Sequence, residues 1–302
     1  MICTVTLNPS LDYTVELEQL QPGGLNRTRT ESVRPGGKGL NVALMLNRLG
    51  QPVRALAFAA GYTGHMLAGQ LADAGLPAEL LWAREGMTRI NVKVKAGEET
   101  EINGRGPVLG PSHLEELASR LAVLEEGDWV VLAGSLPAGL PDDTYARLLM
   151  PLTARGVRAV VDAEGAVLSA ALTAHPFLIK PNRPELEALA GRALSTREEL
   201  FDAARTLQEK GAANVLLSLG GEGAALLTSS GERLFCPAPQ GKAVDTVGAG
   251  DSMVAGFLSG WLTTGRWAEA LRMGVAAGSA SAFSPWIARR EQVWALYDSV
   301  LI

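Results

Sequence analysis

The densest chemistry in the sequence lies near its C-terminal end. There Asp245-Thr246-Val247-Gly248-Ala249-Gly250-Asp251-Ser252-Met253 runs into an amphipathic stretch of helical period over 253–262. Glycines at a helix N-terminus free the backbone to aim successive N–H groups at an anion, and the helix dipole favours negative charge at the same end. A carboxylate in that turn would repel a phosphate. It makes sense as a base taking a proton from a nucleophile that approaches one. Gly248, Ala249 and Gly250 therefore read as an anion hole, and Asp251 as the base of a phosphoryl transfer to an alcohol. A capped helix with an acidic first turn is the plain alternative.

A second glycine-rich segment, Pro35-Gly36-Gly37-Lys38-Gly39-Leu40-Asn41-Val42, also enters a helix. It is not a Walker A loop, because Ser32 stands where that pattern has Gly and Lys38 is followed by Gly. Gly37, Lys38 and Asn41 suit a polyhydroxylated or phosphorylated small molecule; a turn with a solvated lysine is the alternative. Ser218-Leu219-Gly220-Gly221-Glu222-Gly223-Ala224 lacks the last glycine of G-x-G-x-x-G, and reads as a nucleotide-facing turn or a simple hairpin turn. In Lys180-Pro181-Asn182-Arg183-Pro184-Glu185, Asn182 and Glu185 fall three apart as a helix begins. They could face a ligand or a hydrated Mg²⁺, or they could form a capping box. Arg27 and Arg29 precede the glycine loop, and Arg89 and Asn91 share the polar face of a strand. With Asp12 and Thr14 they read as a phosphosugar clamp, since arginine grips phosphate with bonds of about 1.5–3 kcal/mol each.

Positioning these groups requires a scaffold, and the hydrophobic pattern describes one. Short β-branched runs at 2–7, 53–59, 129–133, 159–162, 177–179 and 215–218 alternate with amphipathic helical stretches such as Val42, Met45, Leu46 and Leu49. Near-continuous apolar strands between helices predict a mostly parallel sheet covered on both faces. Two segments differ: 12–17 and 88–95 alternate with period two, and the latter turns at Ala96-Gly97 into 98–103. Pairing of Lys93 and Lys95 with Glu99 and Glu101 across that turn predicts an antiparallel hairpin. The result is a small inserted sheet with a polar face and an apolar face (Tyr13, Val15, Ile90, Val92 and Val94), too small to stand alone. A lid that pairs with its own copy satisfies both faces, so the expectation is a homodimer through the lids.

Composition excludes several classes. Lys and Arg total 27 against 32 Asp and Glu, a net charge of −5, which argues against a surface that coats nucleic acid. Two cysteines, Cys3 and Cys236, and 3 histidines build neither a disulfide framework nor a Cys₄ zinc site. A dinucleotide-binding dehydrogenase fails on the missing fingerprint. The first residues, Met1-Ile2-Cys3-Thr4-Val5-Thr6-Leu7-Asn8-Pro9, do not read as a signal peptide, and no stretch is long and apolar enough to span a membrane. A cytoplasmic location, with neither nucleic acid nor membrane as partner, is expected.

Gly36-Gly37-Lys38-Gly39 with Asn41, then Asn182-x-x-Glu185, then Asp245-Thr246-x-Gly248-Ala249-Gly250-Asp251 resemble, in this order, the ribokinase-like family of sugar kinases. The resemblance covers essentially the whole chain. Thr6-Leu7-Asn8-Pro9 and Thr88-Arg89-Ile90-Asn91-Val92-Lys93 look most like its phosphosugar branch. The resemblance implies an α/β fold, a doubly wound, mostly parallel sheet in an α/β/α sandwich, with 1–302 as one kinase domain and a β lid from about 11–35 and 87–106. It also implies ATP-dependent, Mg²⁺-requiring phosphorylation of fructose 1-phosphate to fructose 1,6-bisphosphate. Tagatose 6-phosphate and fructose 6-phosphate are alternative substrates, and a non-catalytic sugar or nucleotide sensor is a distant alternative. By resemblance Asp251 is the base and Gly248–Gly250 the anion hole. Asp12, Gly37, Lys38, Asn41 and Asn91 face the sugar, while Arg27 and Arg89 hold its phosphate with Ser135 close by. Lys180, Asn182, Ser218, Gly220, Gly223, Val275 and Ser279 line the nucleotide site, and Glu185 acts near the metal through water. Arg105 departs from the family pattern, which has proline or a small residue there, and places an extra cation at the lid edge.

Overall fold

The computed structural model describes residues 1–302 throughout. Its strands, in chain order, are β1 (Ile2–Thr6), β2 (Ser10–Glu16), β3 (Thr30–Gly36), β4 (Val53–Ala59), β5 (Ala78–Trp82), β6 (Arg89–Ala96), β7 (Glu98–Asn103), β8 (Trp129–Ala133), β9 (Arg158–Asp162), β10 (Leu178–Ile179), β11 (Asn214–Ser218), β12 (Ala224–Leu227) and β13 (Arg233–Cys236). Nine of them form one sheet in the order β13-β12-β11-β10-β9-β8-β1-β4-β5. From β11 to β5 every pair is parallel. β12 and β13 add an antiparallel ribbon at one edge.

The central strands are buried along their whole length because helices cover both faces. Cys3, Val5, Val130 and Leu132 point into one core of 40 buried residues, and Ile2, Val131 and Ala133 into a second of 39. Two cores of nearly equal size are what a doubly wound sheet requires. At about 25 cal/mol per Å² of apolar surface buried, they supply the dominant stabilising term. On the second face the helices Ala249–Thr264 and Trp267–Ala282 pack very closely. A Cβ at Gly256 would sit 2.4 Å from the Met273 carbonyl oxygen, so only glycine permits that approach.

Four strands form the second sheet in the order β3-β2-β6-β7. The expected hairpin is present, with Lys93 opposite Glu101 and Lys95 opposite Glu99. No period-two alternation marks β3, whose Pro35 argues against an inner strand; β3 lies at an edge, where proline is tolerated. β5, β12 and β13 were likewise not foreseen. β2 and β6 pair in parallel, Ser10 beside Arg89 and Glu16 beside Lys95, so the polar side chains Asp12 and Asn91 share a row. The other face carries Leu11 and Ile90, which pack into the second core. It also carries Tyr13 and Val92, half-buried, and Ile102, which is 62% exposed.

Candidate active site

The sheet's parallel strands end beneath the small sheet, and between them lies a cavity of about 1190 Å³. Crevices at the carboxyl ends of parallel strands are where open α/β sheets bind ligands. Asp251, Gly248, Ala249, Gly250, Asp12, Gly37, Lys38, Asn41, Arg89, Asn91, Ser135, Lys180, Asn182, Ser218, Gly220, Gly223, Val275, Ser279 and Glu185 all line it. Arg27 does not. It is exposed in the connection between β2 and β3, outside the cavity. Nearness in sequence to the glycine loop misleads here, because β3 intervenes and an extended strand carries the chain away at about 3.3 Å per residue. Arg29 pairs with Glu18 in the same exposed connection, 3.1 Å apart. Arg105 is also exposed and absent from the cavity wall; its carbonyl accepts from Asn8 Nδ2 at 3.3 Å.

The helix Ala249–Thr264 begins at Gly248, whose φ of 76° is left-handed. A Cβ there would lie 2.5 Å from Ile287 Cδ1, a side-chain end able to shift, so it is the left-handed backbone that favours glycine. No side chain caps this helix; the Ala249 N–H donates to the Thr246 carbonyl at 3.2 Å, while the N–H groups of Gly248 and Gly250, both on the cavity wall, have no protein acceptor. Asp251 sits in its first turn and is only 5% exposed. Burial, with the nearby Asp162 carboxylate, pushes its pKa up to about 6, against the lowering effects of Asn41, Lys38 and Lys180. Asn41, on the helix Lys38–Arg48, donates from Nδ2 to Asp251 Oδ2 at 2.8 Å.

Sequence reasoning missed Asp162 as a site residue. It ends β9, is 1% exposed, and lies between two ammonium groups: Lys38 Nζ at 3.1 Å from Oδ1 and Lys180 Nζ at 3.3 Å from Oδ2. Burial alone would raise its pKa; Lys180 and Lys38 overcome that and hold it below the usual carboxylate value. The available signal was an aspartate at the carboxyl end of a strand that reads as parallel. Lys38 also reaches Glu164 at 3.4 Å; burial works against its charge, but Asp162, Asp251 and Glu164 keep its pKa above the ordinary value.

On the lid, Asn91 Nδ2 and Ser10 Oγ both donate to Asp12 Oδ1, at 3.0 and 2.8 Å, fixing the carboxylate over the cavity. A Cβ on Gly36 would meet Asp12 Oδ2 at 2.4 Å, so the glycine loop packs directly beneath it. Arg89 is half-buried, and its Nε donates to the Asn8 carbonyl at 3.1 Å, which leaves the outer guanidinium nitrogens for a ligand. Lys93, 6% exposed and paired with Glu101 at 3.3 Å, is a further cavity-lining cation that the sequence reading had not assigned to the site.

At the other end, Asn182 and Glu185 do form a capping box. Asn182 Oδ1 accepts from the Glu185 N–H at 2.8 Å, and Glu185 Oε2 accepts from the Asn182 N–H at 2.9 Å. Ser218–Ala224 is the turn of the β11–β12 hairpin, Ser218 opposite Ala224, and it also forms cavity wall. No cluster of three or more His, Cys, Asp or Glu side chains is arranged to hold a metal ion, and no helix is long and apolar enough to cross a membrane.

A polar cavity with a buried carboxylate beside free helix amides at its centre and cations around it has the groups that phosphoryl transfer requires. The pfkB family carbohydrate kinase pattern matches residues 5–285. Over 302 residues the chain is 43% identical to 1-phosphofructokinase of Bacillus subtilis, covering 100% of this chain and 99% of that protein. It is 37% identical to D-tagatose-1-phosphate kinase of Bacillus licheniformis, covering 94% and 93% respectively. The crystal structure of phosphofructokinase-2 from Escherichia coli in complex with substrates and products superposes with a TM-score of 0.92 at 34% identity, over 99% of this chain and 98% of that one. The chain belongs to the pfkB family of carbohydrate kinases, with the ribokinase-like fold. It is a sugar-phosphate kinase, a class that takes ATP as substrate.

Proposed function

We propose that this kinase transfers the terminal phosphoryl group of ATP to the free primary hydroxyl of fructose 1-phosphate, giving fructose 1,6-bisphosphate. The observation that carries the chemistry is Asp251, buried beside the open amides of Gly248 and Gly250 and oriented by Asn41. The substrate assignment draws on the 1-phosphofructokinase relative at 43% identity.

Asp251 takes the hydroxyl proton as the oxygen bonds to phosphorus. A base whose pKa lies near the working pH does this well, worth on the order of 10²–10⁴ in rate. The Gly248–Gly250 amides accept the charge on the transferring oxygens, and Lys180 stands close by: a Cβ on Gly250 would come within 3.3 Å of its Nζ. Asp12, Lys38 and Asn41 orient the sugar, while Arg89, with Ser135 nearby, holds the phosphate it already carries. Lys180, Asn182, Ser218, Gly220, Gly223, Val275 and Ser279 surround the nucleotide. A closed lid excludes water, the competing acceptor. Mg²⁺ fits as an ion carried on the nucleotide's phosphates. Asp162 and Glu185 line the cavity as acceptors for its water shell, Asp162 Oδ2 being held by the Lys180 ammonium at 3.3 Å. When bound, it neutralises phosphate charge.

The whole chain acts as one catalytic unit with segments 11–35 and 87–106 as its lid. It works in the cytoplasm as a homodimer joined through the lids, whose outer face leaves Ile102 exposed. ATP consumption with fructose 1-phosphate, tagatose 1-phosphate, tagatose 6-phosphate and fructose 6-phosphate tests the assignment. The highest kcat/KM is expected with fructose 1-phosphate. A higher value with another sugar would replace the substrate, and no turnover with any would favour a sensor.

A further inference from the structure

Lys93 and Lys95 alternate along β6, and their partners across the hairpin are Glu101 and Glu99. Lys93 obeys that register and pairs with Glu101. Lys95 does not. Its ammonium leaves the lid and lies 3.5 Å from Oδ2 of Asp245, and it has no ion pair with Glu99 or any other carboxylate of its own sheet. The two side chains meet in a second, smaller cavity of about 210 Å³, which shares Asp12, Asn41, Lys93 and Val247 with the active-site cavity.

Asp245 is well placed to transmit this contact. Its other oxygen, Oδ1, accepts from the Val247 N–H at 3.0 Å and closes the turn that hands the chain to Gly248, the first residue of the amide cradle. On the opposite side the same loop is tied down by the N–H groups of Val244 and Asp245, both donating to the Ala282 carbonyl at 2.8 and 3.2 Å. One carboxylate therefore shapes the loop with one oxygen and faces the lid with the other. Lys95 is 29% exposed and Asp245 21%, and a pair so open to solvent adds little to global stability. Its location is what gives it consequence. Amide donors act on a developing charge only within a narrow range of positions, and displacements of about 1 Å at a reacting centre can cost on the order of 100-fold in rate.

We propose that Lys95 is a positioning residue for phosphoryl transfer. Through Asp245 it couples the docked position of the lid to the geometry of the Gly248–Gly250 amides. The amide cradle is thus held in shape only while the lid is docked, which adds a second safeguard against transfer to water. This rests on the anion-hole assignment given above.

Steady-state kinetics of the full chain with ATP and fructose 1-phosphate test it, using K95M, D245N, the double variant and K95R. K95M should lower kcat about tenfold while both KM values stay within about twofold of wild type, the signature of an interaction felt in the transition state. Its melting temperature should be unchanged. D245N should lose at least as much, the double variant should be no worse than D245N alone, and K95R should recover most of the loss. Wild-type kcat in K95M would overturn the proposal, as would additive losses in the double variant. So would a rise confined to the sugar-phosphate KM, which would make Lys95 a ligand-binding cation. D251N in the same assay separates the two levels. Turnover retained there removes the phosphoryl-transfer assignment of this helix start, on which the proposal rests, whereas an inactive D251N beside an unaffected K95M removes only the coupling.

Discussion

Asn41 holds the carboxylate of Asp251 through a 2.8 Å hydrogen bond, joining the helix that follows the glycine loop to the helix that begins at Gly248. A single amide thus sets the orientation of the proposed base. Asp251→Asn keeps that bond, because the new amide oxygen still accepts. It should fold and melt at or above the wild-type temperature, since it removes a buried charge, while kcat falls on the order of 10²–10⁴-fold. Wild-type kcat would remove Asp251 from the mechanism.

The pH dependence carries a sign for each group. As the proposed base, Asp251 would act only when ionised, so kcat/KM should fall as pH drops through about 6. Asn41 lowers that pKa, so Asn41→Ala should move the acid limb to higher pH. Stability runs the other way for this residue. Between its ordinary value of 3.8 and about 6 the folded chain binds its proton more tightly than the unfolded chain does, so its contribution weakens as pH rises through that window. Denaturant melts of wild type against Asp251→Asn across this range measure the difference, which should widen toward pH 6.

Asp162 behaves in the opposite sense. Its pKa is depressed, so its contribution is present above 3.8 and is lost as pH falls below that through the folded value. Asp162→Asn leaves Lys180, 5% exposed, without its counter-charge. A cost of about 3–5 kcal/mol is expected in a urea melt at neutral pH. A loss below about 1 kcal/mol would mean that Lys180 finds another partner or water.

Arg89→Ala should raise the KM for fructose 1-phosphate by about 10–100-fold, the loss of one or two charge-assisted bonds, with the KM for ATP nearly unchanged. Equal effects on both substrates would place this guanidinium away from the sugar's phosphate.

Ile102, opposite Val92 on the apolar face of the lid, tests the oligomer. Sedimentation at micromolar concentration should give a dimer for the wild-type chain and a monomer for Ile102→Glu. A wild-type monomer would refute assembly through the lids.

The reading of the residues went furthest where backbone chemistry is written in residue type. Glycine runs at helix starts marked segments that line the cavity, and continuous apolar strands located the sheet. It stopped where a side chain's meaning comes from partners far along the chain. Asp162 looks like any residue that ends a strand until Lys38 and Lys180 converge on it. Lys95 has an obvious partner in Glu99 and takes Asp245 instead. Arg27 lies close to the glycine loop in sequence, but β3 separates the two in space. Asn182 and Glu185 had two readings, and the structure forms the capping box while keeping both on the cavity wall.

The parallel pairing of β2 with β6 has a consequence for how the chain acquires activity. Two strands joined this way cannot form from a local hairpin; β4 and β5, with the helices around them, lie between in sequence. Loop closure over such a separation is rewarded only after the intervening body has condensed. The small sheet should therefore be among the last parts to assemble on refolding, and burial of the aromatic core should precede the return of turnover.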